Sequence, residues 1–174
     1  RADRHPYERQ VLWPAASLLG ERRQRRHLAF DIDADAAGTD LASLRTRAVR
    51  DGDDYVINGQ KVWTTHGQAA DYIWLAARTD PDAPKHKGIS IILVPTSDPG
   101  FSVTPIYTVG RERTNVTYYK DVRVPVSNLV GPENAGWSLI TSQLNHERIV
   151  LAIPGFAETV FEDVWRWACK TPAP

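Results

Sequence analysis

Between residues 40 and 130 the chain is cut into short apolar stretches by clusters of Gly, Pro, Asn and Asp, and this rhythm leaves few folds open. Leu44, Thr46 and Ala48 alternate with Arg45 and Arg47, the two-residue period of a strand with one buried face. Asp51-Gly52-Asp53 reads as a turn. Tyr55-Val56-Ile57 runs into Asn58-Gly59, a pair that tolerates positive φ and therefore predicts a hairpin, with residues 60–63 returning as the partner strand. Residues 72–77 are apolar without interruption, which predicts a strand buried on both faces, and residues 89–94 are another apolar run. Residues 81–87 form a polar loop between them, and residues 101–107 and 116–124 bring the total to about seven strands. The fold class expected is α+β: an antiparallel β sandwich or open barrel flanked by helical segments.

The flanks change period. In residues 1–37, Pro6 and Pro14 interrupt the start, and residues 15–28 predict a short helix whose Arg22, Arg23, Arg25 and Arg26 form a solvated face. After the strands, Asn134 is placed to cap a helix on which Trp137, Ile140, Leu144 and Leu151 make an apolar stripe. Pro154-Gly155 must break that helix, and Phe156, Val160 and Val164 resume the stripe beyond it. Such a face needs partners. The organisation expected is therefore a helical remnant over 1–37, a β domain over 38–132 and the start of a helical domain over 133–174.

Composition narrows the function classes. The 174 residues carry 21 basic and 21 acidic side chains, a balance that disfavours a nucleic-acid binder. No run approaches the roughly 18 apolar residues of a membrane span. The single cysteine, Cys169, excludes an intramolecular disulfide or a cysteine-based zinc site and fits a reducing compartment, so a cytoplasmic protein is expected. A sequence with no Met that begins at Arg1 is expected to be part of a longer translation product. Neither a phosphate-binding P-loop nor a dinucleotide Gly fingerprint occurs, and His5, His27, His66 and His86 have no ligand spacing.

Several motifs then line up in order: Gly38-Thr39-Asp40-Leu41; Tyr55-Val56-Ile57-Asn58-Gly59-Gln60-Lys61-Val62-Trp63-Thr64-Thr65; Asp71-Tyr72; Gly88-Ile89-Ser90 with Leu93-Val94-Pro95; Asn115-Val116 through Asp121-Val122-Arg123-Val124-Pro125; Asn128-Leu129-Val130-Gly131; and Gly136-Trp137 leading to Glu147-Arg148. The series resembles the flavin-dependent acyl-CoA dehydrogenase family, closely over 38–152. The stretch Gln143-Leu144-Asn145-His146-Glu147-Arg148 is similar to actinobacterial members linked to steroid side-chain breakdown. The resemblance implies a helical domain, a β domain and a four-helix bundle, of which this sequence holds the tail of the first, all of the second and the first helix of the third. It also implies non-covalent FAD, α,β-dehydrogenation of an acyl-CoA thioester to the 2-enoyl-CoA in lipid β-oxidation, electron transfer to an electron-transfer flavoprotein, and a homo- or hetero-oligomer.

The same resemblance assigns roles. Trp63, Thr64, Thr65 and Gly38 would contact the flavin: an indole can lie against the isoalloxazine ring, and a hydroxyl two residues on along a strand faces the same way. Thr39 would sit by the thioester, with Asn145 and His146 lining the substrate entrance. Glu147 matches the catalytic base of one branch of the family, and Arg148 would hold it ionised. One departure stands out. Where the family has Thr/Ser-Glu-Pro, this sequence has Asp33-Ala34-Asp35, which removes a hydroxyl expected near flavin N5 and adds negative charge. The rival reading is a truncated or degenerate, non-catalytic homologue that acts as a partner subunit.

Overall fold

The computed structural model describes residues 28–31, 40–111, 113–151 and 154–170. The predicted helix over 15–28, the Asp33-Ala34-Asp35 departure, Gly38 and Thr39 lie outside these, apart from Leu28. The chain divides into two compact units, one reaching Ile140 and one from Thr141 onward.

The first unit is built on strands β1 (Leu28–Asp31), β2 (Arg47–Asp51), β3 (Asp54–Val62), β4 (Tyr72–Arg78), β5 (Ile89–Pro95), β6 (Phe101–Tyr107), β7 (Arg113–Pro125) and β8 (Leu129–Val130). They form one eight-stranded open sheet in the order β6-β7-β3-β2-β4-β5-β8, with β1 attached to β4. Most neighbours are antiparallel, as expected. The exceptions are at β4, where β1 pairs in parallel from Leu28↔Tyr72 to Asp31↔Leu75 and β2 pairs in parallel at Arg47↔Arg78. The strand β1 is a correction to the helical reading of residues 1–37. Its four residues gain their ladder from a segment more than forty positions away, which no local pattern announces.

The core gathers Tyr55 and Ile57 of β3, Ile73, Leu75 and Ala77 of β4, Ile92 and Val94 of β5, and Tyr119, Val122 and Val124 of β7. Because β5 and β7 are far apart in strand order yet share this core, the sheet must curl on itself. Trp74, Ala76, Ile91 and Leu93, which point the other way, are equally inaccessible, so β4 and β5 are buried on both faces, as the uninterrupted apolar run predicts for β4.

The Asn58-Gly59 hairpin does not form. The turn lies earlier, at Asp51-Gly52-Asp53, where Gly52 has φ +63, and β3 then runs straight through to Val62. Asn58-Gly59 instead faces a bulge in β7. The register steps from Ile57↔Val122 to Gly59↔Tyr119, two residues on β3 against three on β7. Asn58 secures it by donating from Nδ2 to Asp121 Oδ1 (3.0 Å) and accepting from the Asp121 amide (2.9 Å), while Asp121 takes φ +52. Gly59 is needed there because a Cβ would lie 2.6 Å from Thr46 Oγ1 and its φ is +147. The bulge also changes the phase of β7, so that Thr117 and Tyr119 before it, and Val122 and Val124 after it, all face inward.

Helix α1 (Gly136–Leu151) follows, and α2 (Pro154–Lys170) begins at the predicted proline break. Asn134 does not cap α1. It lies at φ +64, accepts from Thr79 Oγ1 (2.6 Å) and donates its amide to Ser90 Oγ (2.7 Å), tying the loop before α1 to the residue after β4 and to β5. Tyr55 adds a second tie by donating to Glu133 Oε1 (2.7 Å). On α2 in the second unit, Val160, Phe161, Val164, Trp165 and Trp167 are all exposed, and the Phe161 and Trp165 rings stack with centroids 6.3 Å apart. No helix among the described residues is long and apolar enough to cross a membrane.

Candidate functional site

The segment that leaves β3 carries most of the predicted flavin contacts. Val62 ends the strand, and Trp63 turns into the left-handed region at φ +71, followed by His66 at φ +62. The expectation that Trp63 and Thr65 share a strand face is therefore corrected: both side chains are solvent-exposed, but from a loop. A Cβ-bearing residue in that region costs on the order of 1 kcal/mol or more and persists only where its surroundings impose it.

Thr64 is where they do so. Its amide donates to the Asn115 carbonyl (3.0 Å), and its carbonyl accepts from Asn115 Nδ2 (2.7 Å) and the Gly67 amide (3.3 Å). Its hydroxyl donates to Asp31 Oδ1 (2.8 Å) in the interior. With all its polar groups engaged inward, Thr64 has none left for a cofactor; it holds its two neighbours instead. Asn115, fully inaccessible, also donates to Gln68 Oε1 (2.7 Å) and accepts from Arg113 Nε (3.2 Å), consistent with a side chain that satisfies loop backbone.

This bracing leaves Trp63 with 56% of its surface exposed, an unusual state for an indole. Beside it the Thr65 hydroxyl, 3.4 Å from that of Thr114, is exposed as well. An accessible aromatic face with a hydroxyl two residues on suits a planar heteroaromatic ring with a polar edge, so the residues present fit an isoalloxazine.

Behind the loop lies a group that sequence reasoning missed. Asp31 is 1% exposed and accepts three hydroxyl donors: Thr64 at 2.8 Å on one oxygen, and Thr117 and Tyr119 at 2.5 Å each on the other. Lys61, opposite Thr117 on β3 and equally buried, acts on it with its positive charge. Burial pushes the Asp31 carboxyl above its ordinary value, against the opposing pull of Lys61 and the three hydroxyls. Burial, reinforced by the Asp31 charge, raises the Tyr119 phenol well above its own. A signal was present: the inward alternation Tyr55, Ile57, Gly59, Lys61 puts a lysine on the core face, and a buried lysine calls for a carboxylate.

Asn145, His146, Glu147 and Arg148 fall on α1, in the second unit, and Asn145 is exposed; the side chains of the other three are outside the described residues. Among the described residues, no group of three or more His, Cys, Asp or Glu side chains could hold a metal ion.

Comparison with known proteins agrees with this architecture. Residues 29–122 match the family model described as acyl-CoA dehydrogenase, middle domain. Acyl-CoA dehydrogenase FadE29 of Mycobacterium tuberculosis is 60% identical over 154 residues, 88% of this chain and 39% of that protein. A solved structure described as the Tcur3481-Tcur3483 steroid ACAD superimposes with a TM-score of 0.79 at 59% identity, over 83% of this chain and 38% of that one. The ChsE4-ChsE5 complex from Mycobacterium tuberculosis gives a TM-score of 0.68 at 49% identity, over 83% of this chain and 40% of that one. The chain thus spans about two fifths of the length of these relatives. With the matched middle domain making up more than half of its residues, and a relative 60% identical over 154 residues, the chain belongs to the acyl-CoA dehydrogenase family.

Proposed function

We propose that this chain is the flavin-holding β portion, with the first bundle helices, of an FAD-dependent enzyme that converts an acyl-CoA thioester to the 2-enoyl-CoA. The observation that carries the reading is the exposed Trp63 indole, held left-handed by Thr64 and flanked by the Thr65 hydroxyl. Trp63 would hold the ring through its exposed indole, and Thr65 would donate to the ring's polar edge. Glu147 takes the α-proton, and Arg148 keeps that carboxylate charged until it does. When bound, FAD supplies the acceptor for the β-hydrogen, which leaves as hydride, so that the substrate loses one proton and one hydride and gains the double bond. An electron-transfer flavoprotein completes the cycle.

The similarity to a steroid ACAD supports a steroid side-chain thioester as the substrate class. The similarity to a complex of two named chains, ChsE4 and ChsE5, supports assembly with an unlike subunit. A second reading, a non-catalytic partner subunit, is favoured by Asp33-Ala34-Asp35 standing where the family carries a flavin-contacting hydroxyl.

Mixing the FAD-loaded protein anaerobically with a panel of acyl-CoA esters and following the visible flavin band separates the two. The enzyme reading expects bleaching by at least one ester and its loss in Glu147→Gln with FAD content unchanged. Bound FAD that no ester bleaches would favour the non-catalytic subunit.

A further inference from the structure

The buried Asp31 has no part in the reaction just described, yet it accepts three side-chain hydroxyls in the interior of the β domain. We propose that Asp31 is a positioning residue for the flavin-contact loop: by accepting the Thr64 hydroxyl from inside the sheet, it fixes Trp63 and Thr65 on the outside. The inference rests on the reading of Trp63 and Thr65 as flavin contacts.

Its location joins two stretches of chain that the resemblance brings to one cofactor. Asp31 closes β1, two residues before Asp33, and the chain runs on from it toward Gly38-Thr39. Thr64, its partner, lies between Trp63 and Thr65. One carboxylate thus anchors the root of the first stretch and the centre of the second. The anchor is itself fixed. Thr117 and Tyr119 are neighbours on the inward face of β7, Lys61 is the cross-strand partner of Thr117, and Gly59 is that of Tyr119, so the three side chains rise from paired backbone. On β1, Asp31 stands in register with Leu75 of the central strand β4.

The energetics argue against a purely stabilising role. A buried ion pair loses so much hydration that well-packed apolar residues in its place are often neutral or better. What a charged acceptor offers over an apolar side chain is direction: a carboxylate oxygen holds a hydroxyl donor at one distance and one angle. Here the donor held is the hydroxyl of the residue that stands between Trp63 and Thr65.

The test uses Thr64→Val, which keeps the shape and deletes only the donor, alongside Asp31→Asn. Two readouts are needed: FAD affinity from quenching of flavin fluorescence, and backbone amide exchange at Gly67 and Ala69, whose hydrogen bonds close the loop onto Thr64 and His66. Thr64→Val is expected to weaken FAD binding about tenfold, the loss of one charge-assisted hydrogen bond. It should also accelerate exchange at both amides, while strands β4 and β5 exchange as in the parent. The double variant should be no worse than the weaker-binding single one, because both cut the same link. Parent-like exchange in Thr64→Val, or faster exchange with parent-like FAD affinity, would overturn the proposal and leave Asp31 as an interior pin for β1. If the parent itself takes up no FAD, the flavin reading fails separately, and the exchange measurement alone decides whether Asp31 clamps the loop.

Discussion

Removing the Asn115 amide should destabilise the β domain by about 2–3 kcal/mol. Asn115→Ala deletes three hydrogen bonds: to the Thr64 carbonyl at 2.7 Å, to Gln68 at 2.7 Å and from Arg113 at 3.2 Å. Gln68 and Arg113 are exposed and recover water, so those two bonds contribute little. The Thr64 carbonyl cannot recover in the same way, since its residue is 1% exposed and its remaining partner, the Gly67 amide, is 3.3 Å away. An under-satisfied buried carbonyl costs about 1–2 kcal/mol, and the void left by a fully inaccessible side chain adds about 1. For a chain of 174 residues, this lowers the thermal midpoint by roughly 4–12 °C, read from circular dichroism at pH 7. Asn115→Asp sharpens the argument. It keeps the shape but sets a carboxylate against the Thr64 carbonyl, where only its protonated form can donate, so its folded-state pKa must rise above the unfolded one. Its stability relative to the parent should then be greatest at acid pH and fall as pH rises through that folded value. An Asn115→Ala variant within about 0.5 kcal/mol of the parent, with an Asn115→Asp penalty independent of pH, would refute the bracing role.

Gly59→Ala forces a Cβ to within 2.6 Å of Thr46 Oγ1 at φ +147, and should cost about 2 kcal/mol or more by thermal melting, whereas a tolerated Ala would mean the bulge can relax. Tyr55 is pushed up to about 12 by burial and by its bond to Glu133. Its folded-state pKa thus exceeds the ordinary value of 10, and the stability tied to the protonated phenol is complete below pH 10 and lost as pH rises toward 12. Tyr55→Phe should therefore flatten the alkaline decline in unfolding free energy, and an unchanged slope would contradict the assignment.

How much of this was legible beforehand depends on whether the deciding contact was local. The apolar runs at 72–77 and 89–94 carry their burial in their own composition, and they became β4 and β5. The proline break at Pro154 is equally local, a missing amide donor. Asn58-Gly59 misled because a pair that tolerates unusual φ serves a bulge as well as a hairpin, and only the strand opposite decides which. Asn134 misled in the same way, since its side-chain oxygen accepts from Thr79 on the sheet rather than from the helix it precedes. Trp63 and the motif around it stand out through the order of motifs, whereas the Asp31 anchor does not, because its donors come from Thr64, Thr117 and Tyr119, far along the chain.

The central claim, that the Trp63–Thr65 loop holds a flavin, is most directly tested by an FAD titration followed by flavin fluorescence, with Trp63→Leu alongside the parent. The account predicts saturable one-to-one quenching by the parent and an affinity at least about tenfold weaker in Trp63→Leu, with the far-ultraviolet spectrum unchanged. Equal affinities in the two proteins, or no uptake by the folded parent, would contradict it.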